Sequence, residues 1–190
     1  MRSSLLITLV SLLFFTGCVH EIDIAPNQDK LVKVRPVSIH KNVAYYIPQN
    51  LYNQKVETPS GNNDTLRYQP YQQTEAALKK VLENIFDSVH KVSDPKERLT
   101  NIDYIFVPHI ETISSSNSNV DWEPTRFNMI LQVSVYDKKK KKLLTTYAVG
   151  KGVANFGRYQ SEPTYAVEIA TRSAFLQFQD EIITKRATFK

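Results

Sequence analysis

The chain reads as an α+β protein with an antiparallel or mixed sheet of about five strands, in the order β-β-α-β-β-β-α, and two helices packed on one face. Three observations predict this. Residues 126–137 and 143–156 alternate apolar and polar side chains on either side of a lysine-rich turn, the pattern of a β-hairpin. Residues 70–89 and 163–185 instead repeat apolar side chains at three- and four-residue intervals, the stripe of a helix lying on a sheet. With 42% hydrophobic residues, ten Tyr and nine Phe, residues 31–190 can bury a sizeable core and read as one domain.

The first eighteen residues stand apart. Arg2 is a positive start, Leu5–Phe15 (LLITLVSLLFF) is apolar except for Thr8 and Ser11, and Thr16 and Gly17 are small residues before Cys18. A basic start, an apolar run of about 7–15 residues and small residues before a cut site describe a secretory signal peptide. The run is shorter than the roughly 20 apolar residues a spanning helix needs. Residues 1–17 are therefore expected to be a signal peptide, and residues 18–30, with Pro26, Asn27, Gln28 and Asp29, a polar tether. The tetrad Phe15-Thr16-Gly17-Cys18 resembles the lipobox of bacterial lipoproteins, whose cysteine thiol takes a diacylglycerol and becomes the new N-terminus. The resemblance implies lipidation at Cys18, palmitate-type acyl chains and a Gram-negative cell envelope. Val19 follows the cysteine where aspartate would favour inner-membrane retention, so the resemblance further implies the outer membrane, on its periplasmic face. Cys18 is the sole cysteine, so lipidation would leave no thiol for a disulfide, a metal or nucleophilic attack.

The remaining elements follow in order. Leu31–Ile39 alternates as a strand broken near Pro36, and Val43–Ile47 is a second strand closed by Pro48. Asn50–Arg67 reads as a loop, dense in turn residues at Thr58-Pro59-Ser60-Gly61-Asn62-Asn63-Asp64. Pro70 opens a helix whose stripe is Ala77, Leu78, Val81, Leu82, Ile85, Phe86 and Val89, ended before Ser93-Asp94-Pro95. Ile102–Ile113 is an apolar strand in which Pro108 predicts an edge or a bulge. After the polar loop Ser114–Asn119 comes the hairpin: Arg126–Asp137, the turn Lys138–Lys142, and Leu143–Phe156, where Gly150 and Gly152 predict a bulge or bend. Ser161-Glu162-Pro163 reads as the capped start of a last helix running to Lys185. Its apolar face is Val167, Ala170, Ala174, Phe178 and Ile182, widened by Ile169, Phe175 and Leu176.

This element order resembles small α+β envelope lipoproteins, among them the lipopolysaccharide-assembly lipoprotein, chiefly over Ile102–Ile113 and the helix Pro163–Ile183. The resemblance implies a binding or assembly role in the envelope, with lipopolysaccharide or lipid binding as one form of it.

Few residues carry the spacing of a chemical site. The net charge is +5 and five lysines sit in one run, so no general nucleic-acid footprint is present. His20, His40, His90 and His109 make no HxH, HxxxH or HExxH motif, and neither metal nor cofactor is expected. No nucleophile motif or phosphate loop occurs, and the chain is expected not to be an enzyme. Asp121-Trp122-Glu123 sets two carboxylates beside the only tryptophan. This pair would serve a glycan hydrolase, the alternative reading, but Trp122 fits a partner surface better. Lys138, Lys139, Lys140, Lys141 and Lys142 would attract anionic lipid, lipopolysaccharide phosphates or peptidoglycan carboxylates; they fit better still as a solvated turn that discourages edge pairing. Tyr45, Tyr46, Tyr52, Tyr68 and Tyr71 cluster around the first helix as core or loop-anchoring residues, with one or two available to a recognition surface. The expected partners are thus the membrane, through the lipid, and another envelope protein.

Overall fold

The computed structural model describes residues 19–32, 38–59, 65–94, 101–115 and 126–189. The fold is mixed α+β, as the sequence predicts, but it holds two sheets. The larger has five strands in the order β5-β2-β6-β7-β8: β2 (Ile39–Tyr45), β5 (Phe86–Lys91), β6 (Tyr104–Ser115), β7 (Arg126–Asp137) and β8 (Lys142–Val153). Strand β2 runs parallel to both β5 and β6, and β6, β7 and β8 form an antiparallel meander. The smaller sheet has the order β1-β4-β3, from Val19–Glu21, Thr65–Tyr68 and Val56–Pro59. Among the described residues the remaining elements are helices α1 (Gln49–Tyr52), α2 (Pro70–Glu83), α3 (Phe156–Ser161) and α4 (Tyr165–Thr184) and two short 3-10 turns.

The alternation in β7 decides the layering. Phe127, Met129, Leu131, Val133 and Val135 are fully buried, while the residues between them are half-exposed. Helix α4 packs on this buried face over β7 and β8, with α2 beside it over β5 and β6. Gly150 and Gly152 explain how closely α4 sits. A Cβ on Gly150 would lie 1.8 Å from the Ala170 carbonyl oxygen, and one on Gly152 would lie 1.7 Å from that of Ala166. The glycines therefore serve the approach of helix to sheet and not the bulge the sequence predicts. The register is continuous there and shifts only at Val135/Tyr136.

Pro108 bears out the edge reading. Strand β2 pairs with β6 only as far as Phe106, so β6 beyond it is an edge on that side. Backbone groups alternate sides along a strand, and the Ile110 N–H, of the same parity as residue 108, donates to the Tyr71 hydroxyl at 3.1 Å. The missing N–H of Pro108 thus faces a side with no strand to bond.

Four other expectations are corrected. One strand, Ile39–Tyr45, replaces the two expected over 31–39 and 43–47; the break at Pro36 lies outside the described residues. The segment 50–67 is not a loop, because β3 and β4 pair across it with Thr58 opposite Leu66; residues 60–64 of its turn cluster lie outside the described residues. Helix α2 stops at Glu83, and Asn84-Ile85 turn the chain into β5, so Phe86 and Val89 belong to a strand. The last helix starts at Tyr165, whereas Ser161 ends α3 and donates its hydroxyl to the Arg158 carbonyl.

Candidate functional site

The sequence places two features of interest, the expected anchor at Cys18 and the lysine run, and the fold sets the strand that begins at Val19 and the lysine run at opposite ends. Cys18 and the signal peptide lie outside the described residues, but the chain is in β1 from the next residue on. Val19, His20 and Glu21 pair in parallel with Thr65, Leu66 and Arg67, and the Ile22 N–H donates to the Arg67 carbonyl at 3.0 Å. The segment 19–30, the described part of the tether expected over 18–30, is packed into the domain. Ile24 and Leu31 are fully buried. Gln73 donates to the Ile22 carbonyl and accepts from the Ile24 N–H, Asn84 donates to the Leu31 carbonyl, and Gln179 donates to that of Val32. Lys30 pairs with Glu168 at 2.7 Å. Alternating Ile22 and Ile24 were the signal in the sequence, masked by the polar run that follows.

The small sheet docks at one end of the large one. Ser114 donates to the Thr58 hydroxyl at 2.6 Å, the Tyr68 and Thr112 hydroxyls meet at 2.7 Å, and the Tyr68 ring packs edge-on against Phe127. Val19 opposes Thr65, at the end of β4 farther from Tyr68, so the chain enters beside Ser115 and Arg126. Trp122, Asp121 and Glu123 lie outside the described residues; the strand ends that flank them, Ser115 and Arg126, are at this same end.

The lysine run is at the other. Asp137 builds the turn: its carboxylate accepts from the N–H groups of Lys139 and Lys141, at 2.8 and 2.9 Å, and its backbone N–H donates to the Lys141 carbonyl. Lys140 takes φ 64°, the left-handed region. All five lysine side chains are exposed. At about 3.4 Å per residue, the 12-residue β7 holds this turn roughly 35–40 Å from the anchor end.

Between the ends lies a group the sequence reading missed. Glu75 on α2 accepts from the Tyr45 hydroxyl at 2.8 Å and pairs with Lys91 of β5 at 2.9 Å. Tyr52 of α1 also bonds Glu75, and the Lys91 ammonium sits 4.3 Å over the Tyr52 ring. Burial alone would raise the Glu75 pKa, but the bonds from Lys91, Tyr45 and Tyr52 and the lysine's charge bring it below its ordinary value. Burial and Glu75 push the Tyr45 hydroxyl well above its ordinary range. Every partner of Glu75 is internal, so the group ties α1, α2, β2 and β5 together. No spacing in the sequence joins residues 45, 52, 75 and 91.

The tyrosines are structural: Tyr45, Tyr68 and Tyr71 are buried, and Tyr46 and Tyr52 half-buried. His90 lies exposed in β5 and not at a helix end. His40 bonds Asp87 at 3.1 Å, and His109 bonds Glu111 at 3.2 Å. Among the described residues no three His, Cys, Asp or Glu side chains gather as metal ligands. A cleft of about 250 Å³ lined by Asp23, Ala25, Pro26, Asn27, Thr164 and Glu168 is below the roughly 300 Å³ at which small-molecule sites begin.

No family model and no curated protein matches this chain. Solved structures resemble it distantly. A Xanthomonas campestris protein of family DUF330 aligns over 92% of this chain and 96% of its own, with 11% identity and a TM-score of 0.49. A candidate lipoprotein from Caulobacter crescentus aligns over 60% and 81%, with 13% identity and a TM-score of 0.34. An uncharacterised protein aligns over 90% and 99%, with 10% identity and a TM-score of 0.42. With every TM-score below 0.5, function is argued from this chain's own residues.

Proposed function

We propose that the protein is a lipid-anchored, non-enzymatic component of the bacterial envelope, held through Cys18 to the periplasmic face of the outer membrane, where its domain serves as a binding or assembly module. The observation that carries this reading is the junction between leader and fold. The leader ends in Phe15-Thr16-Gly17-Cys18, and the next residue already belongs to β1. A lipid on Cys18 would thus enter the bilayer within one residue of folded structure, about 3.8 Å of chain. Among the described residues no helix is long and apolar enough to cross a membrane. Metabolic labelling with a fatty-acid probe tests the anchor: the wild type takes the label into the membrane fraction, and Cys18→Ser does not. Equal labelling of the two, or a mature protein recovered in the periplasm with a free thiol, rejects it.

A further inference from the structure

The lysine turn and the anchor occupy opposite ends of the long hairpin, and this bears on what the lysines contact. We propose that Lys138–Lys142 form a docking tip for a carboxylate-bearing polymer of the envelope, on the side of the protein away from the leaflet that holds its lipid. The inference rests on the anchored reading above.

Four observations carry it. The tip is separated from the anchor end by the length of β7, roughly 35–40 Å, against a screening length of about 8 Å at physiological ionic strength. Because β1 begins at Val19, the chain adds almost no slack, and the tip reaches the bilayer only if the whole hairpin lies down along it. Second, the turn is internally bonded. The Asp137 carboxylate accepts from two backbone N–H groups of the turn, and the five lysine side chains around it are exposed. Third, Lys138, Lys139, Lys141 and Lys142 make no ion pair among the described residues, whereas Lys30, Lys79, Lys91 and Lys185 each pair with a glutamate.

Fourth, edge protection does not account for the whole run. Lysines guard sheets against aggregation along exposed edges; the edge strand β8 begins at Lys142, and α4 bonds one of its edge groups, with Gln177 accepting from the Val149 N–H at 2.8 Å. Lys138–Lys141 lie in the turn before that strand. Turn stability does not call for lysine either, since residue 140, at φ 64°, is a position glycine or asparagine fills with less strain. A carboxylate polymer fits the site because successive carboxylates can engage several ammonium groups at once, with no pocket required.

The test uses the lipidated mature protein in vesicles of zwitterionic lipid. Fatty acylation is checked first, because a protein that fails to acylate and insert overturns the anchored reading and, with it, the orientation. Lipidation consumes the one native thiol, so Lys140→Cys and Ser115→Cys each carry a single fluorophore. With a headgroup quencher in the bilayer, the label at 115 is expected to be quenched and the label at 140 not; equal quenching overturns the orientation. Fluorescent polyglutamate is then floated with the vesicles. It is expected to co-float with wild type, to bind progressively less as salt rises while still co-floating at physiological strength, and to fall about tenfold when Lys138, Lys139 and Lys141 become Gln, as loss of polyanion contacts implies. Adding anionic phosphatidylglycerol to the same vesicles should leave polymer binding unchanged. Failure of the polymer to co-float shows a solvated turn, and its displacement by the anionic lipid shows that the tip reaches its own leaflet; either result overturns the proposal. The salt series on wild type keeps the test decisive should the triple variant misfold.

Discussion

The two sheets of this protein are held together by different means. The five-stranded sheet has three 12-residue strands in a meander, a row of fully buried side chains from Phe127 to Val135, and a helix seated on two glycines. The three-stranded sheet has strands of three or four residues, and polar side chains from α2 and α4 secure the chain that leads out of it. Area of apolar contact stabilises the first; the second has a smaller apolar contact, through Leu66 and Tyr68, and is placed by hydroxyl pairs to β6 and by hydrogen bonds aimed at backbone groups. The difference separates two tasks. The large sheet sets global stability, and the small one fixes where the chain leaves toward Cys18.

The largest effect is expected from Gly150→Ala. Its new Cβ would meet backbone atoms of α4, which cannot rotate away, so α4 must shift off the sheet. We expect a loss of about 3 kcal/mol in urea unfolding, at the upper end of overpacking costs. A loss below about 1 kcal/mol would mean that the helix is not seated on the strand as described.

Glu75→Ala comes next. It removes the acceptor of Tyr45 and Lys91 beside a half-buried ring and should cost about 2 kcal/mol. The pH dependence has a definite sign. The Glu75 carboxyl is held below its ordinary pKa in the folded state, so its contribution is present above the unfolded value near 4.3 and is lost as pH falls through the lower folded value. Urea midpoints of wild type and variant should therefore converge on acidification below about pH 4. A gap that stays constant to acid would show that the charge of Glu75 contributes nothing.

The smallest effect sharpens the comparison most. Gln73→Ala deletes the bonds to the Ile22 carbonyl and the Ile24 N–H and leaves every contact of β7 in place. The local opening free energy of residues 19–24 should fall by about 1 kcal/mol, so amide exchange quickens there and not in 127–135. Acceleration of both regions together would mean that the two sheets open as one unit.

What the sequence disclosed follows the same division. Strands β6 to β8 and helix α4 were legible because long elements with one buried face repeat their pattern often enough to read. The join of α2 to β5 was not, because Ile85, Phe86 and Val89 continue the helical stripe of Val81 and Leu82; only the turn at Asn84-Ile85 breaks it. Glycine in a strand has two physical meanings, a bulge or a close approach, and residues 150 and 152 could be assigned only once α4 lay over them. The small sheet escaped because four-residue strands carry barely two alternations each. Of the candidate site, the lysine turn was read correctly as a turn, but its distance from the anchor depended on Val19 pairing with Thr65, a long-range contact with no local signature.

The central claim is that folded structure begins directly after Cys18, the proposed anchor. Hydrogen exchange of the lipidated mature protein in a bilayer tests it most directly, at the Ile22 amide bonded to the Arg67 carbonyl. The account predicts that this amide exchanges at least about a hundredfold more slowly than an unstructured chain. Exchange at the unstructured rate, with β7 still protected, would contradict it and return residues 18–30 to a free tether.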